Sequence, residues 1–283
     1  MTDLREITTN TVESSPGFWE TPGRSRVSYP DSGHDLYAKI EELSFWFLHR
    51  NACILSAVTG VSPKKPLIDI GGGNGFVAKC LTEAGWNTVV LEPGYSGARK
   101  AYDRGLRPVI VGDFDSVGFL DGVIPAVGIF DVLEHINDDA DFLIGVRRKM
   151  HADGYMFVTV PAFGILWSEE DVIAGHFRRY SLSTITNLVE KVGFQVIYGT
   201  YFFSFLPIPI FILRAIPGFL GFKATQELNE YHGKHIFKGK FAGWLIGCFC
   251  SVEKFFISKH FKIPFGSSLL IIAKNTAGGP GCD

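Results

Sequence analysis

The stretch that most constrains this chain is Leu67-Ile68-Asp69-Ile70-Gly71-Gly72-Gly73-Asn74-Gly75, an apolar run that enters a glycine-rich turn and then a helical pattern over residues 76–84. Such a run reads as a buried parallel strand ending in a tight loop beneath a helix N-terminus, where outward-pointing backbone N–H groups let an anionic or polar ligand approach closely. The glycines at 71, 73 and 75 are spaced G-x-G-x-G, and Phe76 stands where the dinucleotide fingerprint G-x-G-x-x-G requires its last glycine. A pyrophosphate grip is therefore disfavoured. The bland alternative is a tight strand-to-helix turn that binds nothing, so the strands that follow must decide.

The next strand, over 88–92, ends in Glu92, about 20 residues after the glycines, where folds of this kind place a carboxylate on ribose hydroxyls. A third strand, over 108–111, runs into Gly112-Asp113-Phe114, giving a carboxylate that accepts from an exocyclic amine and a ring that covers a purine. Taken alone, Asp113 reads equally well as a turn residue. With Asp69, the glycines, Glu92 and Asp113-Phe114 in this order, residues 40–200 and a last strand over 267–274 resemble the class I S-adenosylmethionine-dependent methyltransferases. The resemblance implies an α/β, Rossmann-like, seven-stranded doubly wound sheet. It also implies that Asp69, Gly71, Gly73, Asn74, Gly75, Glu92, Pro93, Asp113, Phe114 and Asp131 bind S-adenosyl-L-methionine.

A content of 46% apolar residues in 283 suffices for one substantial domain with additions, and a formal charge of −2 gives no basic footprint for nucleic acid. The five cysteines form no C-x-x-C pair, so neither a zinc knuckle nor a disulfide framework is indicated and a reducing cytoplasm fits. Residues 1–32 are polar, lack a secretion signal, and read as a flexible arm. From Gly33, Leu36, Ile40, Leu43, Phe47 and Ile54 recur at helical spacing, so one or two amphipathic helices precede the sheet. There Trp46 and Arg50 are either core packing beside a solvated cation or, as the resemblance implies, part of a cover in which Arg50 meets a carboxylate of donor or substrate.

The fourth strand, over 126–130, opens into Asp131-Val132-Leu133-Glu134-His135. A helical turn starting at Asp131 would set Asp131, Glu134 and His135 on one face at i, i+3 and i+4, a set able to hold Mg²⁺, Mn²⁺, Fe²⁺ or Zn²⁺. Beyond the fifth strand, over 155–161, Gly175-His176-Phe177-Arg178-Arg179-Tyr180 supplies a further histidine. The set Asp131, Glu134, His135 and His176 is similar to the metal site of small-RNA 2′-O-methyltransferases, with Asp131 where that family has Glu, and to a turn in ubiquinone-pathway O-methyltransferases. What this implies is a cation that lowers the pKa of an attacking hydroxyl on a vicinal diol, sugar or catechol. Two other readings stay open: His135 or His176 as a metal-free general base acting on oxygen, carboxylate, nitrogen or carbon, and a purely structural role. Trp167, Arg178, Arg179 and Tyr180 are substrate candidates, the arginines serving equally well as solvated charges or partners of Glu169 or Glu170.

Ser181 is a candidate N-cap for a helix to Val192, stopped by Gly193. Residues 33–200 and 265–275 then make the methyltransferase domain, with a hydrophobic insertion over 201–264. Its first part is broken by Pro207, Pro209 and Pro217, which suits a lid or interfacial hairpin better than a spanning helix. Its second part, over 241–256, is broadly apolar with Lys254, Lys259 and Lys262 near its end, as an interfacial helix would be. The alternative is mutual packing or a homodimer interface through 201–262. An F-W-F-x-x-R helix, a G-H-x-R-R-Y loop and a P-F-G-x-S-L-L strand resemble bacterial methyltransferases for which a small hydrophobic or lipid-linked acceptor is expected, in the cytoplasm or peripherally on the inner membrane face. A binding module that holds the donor or a lipid without transferring methyl, and an NAD-dependent oxidoreductase, are the competing classes.

Overall fold

The computed structural model describes residues 4–22, 41, 44–60, 66–219 and 240–276. A single sheet carries β1 (Val12–Ser15), β2 (Phe18–Glu20), β3 (Leu67–Ile70), β4 (Thr88–Glu92), β5 (Val109–Val111), β6 (Ile124–Phe130), β7 (Met150–Pro161), β8 (Phe194–Phe202) and β9 (Ser268–Asn275). Their order is β1-β2-β5-β4-β3-β6-β7-β9-β8. The block from β2 to β7 is parallel, while β9 runs antiparallel between β7 and β8 and β1 antiparallel to β2.

Every residue of β3 and β4 is buried, as expected of parallel strands covered by helices on both faces. Period-two alternation divides them. Ile68, Ile70, Val89 and Leu91 face a core with Leu143 and Val146 of α4 (Asp139–Lys149) and Ile185 and Val189 of α6 (Leu182–Lys191). Leu67, Ala126 and Phe157 face the other, with Ile54 of α1 (Phe45–Thr59) and Val77 and Leu81 of α2 (Phe76–Glu83). The helix α3 (Tyr95–Asp103) packs Ala98 and Ala101 against Phe18, Ala78 and Val90. Ser181 caps α6 as expected, accepting from Thr184 N, and Gly193 follows with φ 94°.

Two expectations are corrected. The sheet has nine strands, and the two extra ones come from the residues read as a flexible arm. Phe18 pairs with Val109 and is buried, its ring meeting those of Tyr95 and Tyr102 edge-on, so β2 covers the edge that β5 would otherwise leave open. Residues 23–32 of that arm, and Leu36, Ile40 and Leu43 of the expected entry helix, lie outside the described residues.

After β8 the chain forms α7 (Pro207–Ile210), a π-helical turn (Phe211–Ala215) and α8 (Ile216–Phe219), then α9 (Lys240–Ser258). No helix of the described residues is long and apolar enough to cross a membrane. A buried polar knot ties α9 to α1. Glu253 accepts from His49 Nε2 at 2.7 Å, Phe203 N at 2.9 Å and Ser204 N at 2.5 Å, with Cys53 Sγ 3.5 Å from the same imidazole nitrogen.

Candidate functional site

A cavity of about 510 Å³ opens at the carboxyl ends of β3, β4, β5 and β6, where open α/β sheets bind ligands. One wall is the glycine loop. Gly71, Gly73 and Gly75 all have φ between 53° and 73°, the left-handed region. A Cβ on Gly75 would lie 2.5 Å from Leu106 Cδ1 and 2.8 Å from Ala101 Cβ, so this glycine lets α2 start close against α3. A Cβ on Gly73 would meet no protein atom within 4 Å and would stand in the cavity instead.

Glu92, at the end of β4, accepts from Gly73 N at 2.8 Å and Gly94 N at 2.7 Å, which aims its carboxylate along the cavity wall beside Pro93. Asp113 lines the next part of the cavity and also holds its own turn, accepting from Ser116 N at 2.8 Å. Phe114 lines the cavity with its ring supported by Phe119 and Phe142. Gly71 and Asn74 complete this wall, whereas Asp69 and Gly75 lie behind it. Asp69 is buried under the loop, its Oδ2 without a hydrogen-bond partner, and burial raises its pKa from 3.8 to about 7. The cradle suits a nucleoside: acceptors at Glu92 and Asp113, a flat apolar face at Phe114, and glycine backbone where a side chain would intrude.

Facing this wall is the turn after β6. Asp131 has φ 56°, and a 3₁₀ turn (Leu133–His135) follows instead of an α-helix. Its carboxylate therefore turns toward α1, 2.9 Å from Arg50 Nη1, and also accepts from Thr159 Oγ1. Arg50 in turn lies over the Trp46 and Phe47 rings. The expected set of four ligands is thus not assembled: Glu134, His135 and His176 have ligand atoms within 4.8 Å of one another, and Asp131 stands outside that group.

His176 is aimed by Asp171, which the sequence suggests only as part of a loop closing over the substrate. Asp171 Oδ1 accepts from His176 Nδ1 at 2.8 Å and from Arg179 Nε at 2.8 Å, while its Oδ2 accepts from Ser168 N at 2.9 Å. Burial works against the Asp171 carboxylate, but these bonds from His176, Arg179 and Ser168 outweigh it and hold its pKa low. His176 Nε2 then faces the cavity, 3.9 Å from Glu134 Oε1, and the His135 and His176 rings meet edge-on at 4.7 Å. Burial, reinforced by the Asp131 carboxylate, pushes Glu134 well above the ordinary carboxylate range. Burial and the neighbouring His176 lower His135 to about 4.

Among the substrate candidates, Trp46, Arg50 and Arg179 line the cavity and Trp167, Arg178 and Tyr180 do not. Arg178 is drawn to Asp139 Oδ2 at 2.7 Å and to the Asn137 carbonyl, and the Tyr180 hydroxyl donates to the same Asp139 oxygen. Two further lining residues, Glu41 and Arg214, carry ion pairs: Glu41 bonds Arg104 and Asn74 over the glycine loop, and Arg214 of the π-helical turn pairs with Glu170 of α5 (Glu169–Ala174). A signal for Asp171 was present: Ser168 and Asp171 form a capping box just before the G-H-x-R-R-Y loop.

Comparison with known proteins agrees with this geometry. A family model described as "Methyltransferase domain" matches residues 47–198. A Mycolicibacterium smegmatis protein named as an S-adenosylmethionine-dependent methyltransferase is 23% identical over 172 residues, covering 59% of this chain and 66% of its own length. The C-methyltransferase NovU of Streptomyces niveus is 26% identical over 145 residues, covering 49% of this chain and 34% of its own. The chain thus spans less than two thirds of either relative. Among solved structures, phosphoethanolamine N-methyltransferase 2 of Haemonchus contortus, in complex with S-adenosyl-L-methionine, shares the fold with a TM-score of 0.57 at 17% identity, over 89% of this chain and 59% of that one. With more than half of its length matched by the family model, the chain belongs to the methyltransferase-domain family, whose cofactor is S-adenosylmethionine.

Proposed function

We propose that the protein is an O-methyltransferase that acts on a hydroxyl of a small hydrophobic or lipid-linked acceptor, with His176 taking the hydroxyl proton. The observation that carries this reading is the Asp171–His176 pair, which presents Nε2 to the same cavity that the glycine loop and Glu92 line. When bound, S-adenosylmethionine supplies a methyl group activated on a sulfonium. The chain's own share is to hold and to deprotonate. Gly71, Gly73 and Glu92 hold the sugar end of the donor, and Asp113 and Phe114 hold the base. Asp171 keeps the proton on His176 Nδ1, so the Nε2 lone pair is the one available to the incoming hydroxyl. Arg50, held by Asp131 and capped by Trp46, closes the apolar side of the cavity, and Ile136 and Ile210 add apolar wall.

A second reading has its own support. Glu134, His135 and His176 form a two-histidine, one-carboxylate set whose Glu134 Oε2 is buried without a hydrogen-bond partner, and the residues fit a divalent cation. A cation there would polarise an acceptor oxygen and favour its ionised form. Asp171 on the far nitrogen of His176 serves this reading too, since metal-ligating histidines commonly donate their other N–H to a carboxylate.

The test is transfer of labelled methyl from the donor to matched catechol, aliphatic diol, carboxylic acid and amine acceptors, with and without exhaustive chelation. A methyl ether as product, lost in His176→Ala, is the expected result. Survival of activity after chelation selects the base and its loss selects the metal. Label arriving only on carboxylate, nitrogen or carbon refutes the proposal.

A further inference from the structure

Most of the described side chains of α9 are exposed although the helix is rich in apolar residues. Cys250, Glu253 and Ile257, at helical spacing, form the seam that packs toward α1, and both Glu253 and Ile257 are buried. Outside that seam Phe249, Val252, Phe255 and Phe256 are 40–56% exposed and Trp244 is 63% exposed. A helix that is hydrophobic on all sides normally has apolar surroundings on all sides. The face continues onto the neighbouring segment, because Phe205, just before α7, meets the Phe249 ring at 5.8 Å, and Ile208 and Leu213 beyond it are each 72% exposed.

The charge on this face has one sign. Lys254, Lys259 and Lys262 are exposed, and over 243–265 the one acidic residue, Glu253, is turned inward into the knot with His49. Aromatic and aliphatic side chains mixed with lysines, on a described helix not long and apolar enough to cross a membrane, match an element lying in the interface of an anionic bilayer, where lysine stems follow the apolar surface and their ammonium groups reach lipid phosphates. A second protein copy with the same cationic rim would repel itself at the edge. The face also adjoins the cavity: Ile210 and Arg214, on the same helical stretch as Ile208 and Leu213, line it.

We infer that the joint face of α7, the π-helical turn and α9 docks the protein on an anionic lipid surface, with the cavity mouth set beside the bilayer. This holds whichever acceptor atom receives the methyl group, so a failure of docking leaves the O-methylation reading standing, and the reverse is also true.

The full chain is floated with vesicles of phosphatidylcholine alone and with vesicles containing 30% phosphatidylglycerol, at low and high salt. Binding to the anionic vesicles, weakened by salt, is expected. The triple variant K254E/K259E/K262E loses at least about five-fold in partition per lysine, and Leu213→Ser with Phe255→Ser abolishes binding. Both variants keep wild-type circular dichroism and bind S-adenosylhomocysteine as wild type does by calorimetry, which separates docking from folding. Equal binding to both vesicle types, no binding to either, or a concentration-dependent dimer that the Phe255 variant dissociates while vesicles bind nothing would overturn the inference.

Discussion

Replacing Glu253 with Gln tests whether the buried knot holds the insertion to the methyltransferase core. In the folded protein Oε2 takes hydrogen bonds from His49 Nε2 and Phe203 N, and Oε1 takes one from Ser204 N. A glutamine must turn its NH₂ toward one of the two backbone N–H groups in either amide orientation, leaving a buried donor facing a donor. One orphaned buried donor costs about 1–3 kcal/mol, and the surviving bonds lose their charge assistance, so the total is about 2–4 kcal/mol. For a domain of this size that is roughly 4–16 °C in Tm; Glu253→Ala, which strips all three bonds, costs about 3–5 kcal/mol. The pH dependence follows from the pKa of Glu253: burial raises it, but the bonds from His49 and Ser204 outweigh burial and hold it below the ordinary 4.5. A group whose pKa is depressed on folding contributes stability above its unfolded pKa and loses it as pH falls through the folded value. Urea unfolding followed by circular dichroism should therefore show the full gap between wild type and Glu253→Gln at pH 7, narrowing below about pH 5. A gap under about 1 kcal/mol at pH 7, or one that does not narrow in acid, would refute the reasoning.

Further outcomes are expected. Gly75→Ala meets Leu106 and Ala101 at a φ of 73°, so it should lower Tm by combining about 1–2 kcal/mol of backbone strain with about 1–3 kcal/mol of overpacking. Gly73→Ala carries only the strain but puts its methyl into the cavity, and calorimetry with S-adenosylhomocysteine should show affinity reduced by about tenfold or more. Asp69 has a pKa raised on folding to about 7, so its favourable contribution is present below its unfolded value of 3.8 and lost as pH rises through 7. Wild type should lose stability relative to Asp69→Asn between pH 4 and pH 8, measured by thermal unfolding across that range. Asp171→Asn should lower kcat with little change in KM for the donor, while His176→Ala should cost about 10²–10⁴ in kcat; an unchanged kcat in Asp171→Asn would assign that residue to structure alone.

What the sequence made legible was local. The apolar strand, the glycine turn and the helix after it are consecutive, so the strand-loop-helix unit at Leu67–Glu83 and the acids ending the next two strands, which line the cavity with it, follow from periodicity and spacing. The edge strands were not legible, because Val12–Ser15 and Phe18–Glu20 are three or four residues long and rich in Ser and Glu, and β2 is fixed by pairing with Val109 some ninety residues away. The misplacement of Asp131 has a conformational cause. Spacing i, i+3, i+4 brings side chains together only on an α-helix, and a left-handed Asp131 followed by a 3₁₀ turn sends the carboxylate to Arg50 while Glu134 and His135 stay with His176. Asp171 meets His176 for a conformational reason too. Five residues apart on a continuing helix, it and His176 would diverge, but α5 ends at Ala174 and Gly175 reverses the chain at φ 77°, folding the imidazole back onto the carboxylate. On the extended backbone that follows, Arg178 and Tyr180 fall on one side and share Asp139 while Arg179 between them faces Asp171. The grouping of acids and imidazoles therefore depends on two left-handed residues, Asp131 and Gly175. Changing the backbone at either should separate these groups while leaving the opposite wall of the cavity, built from other strands, in place.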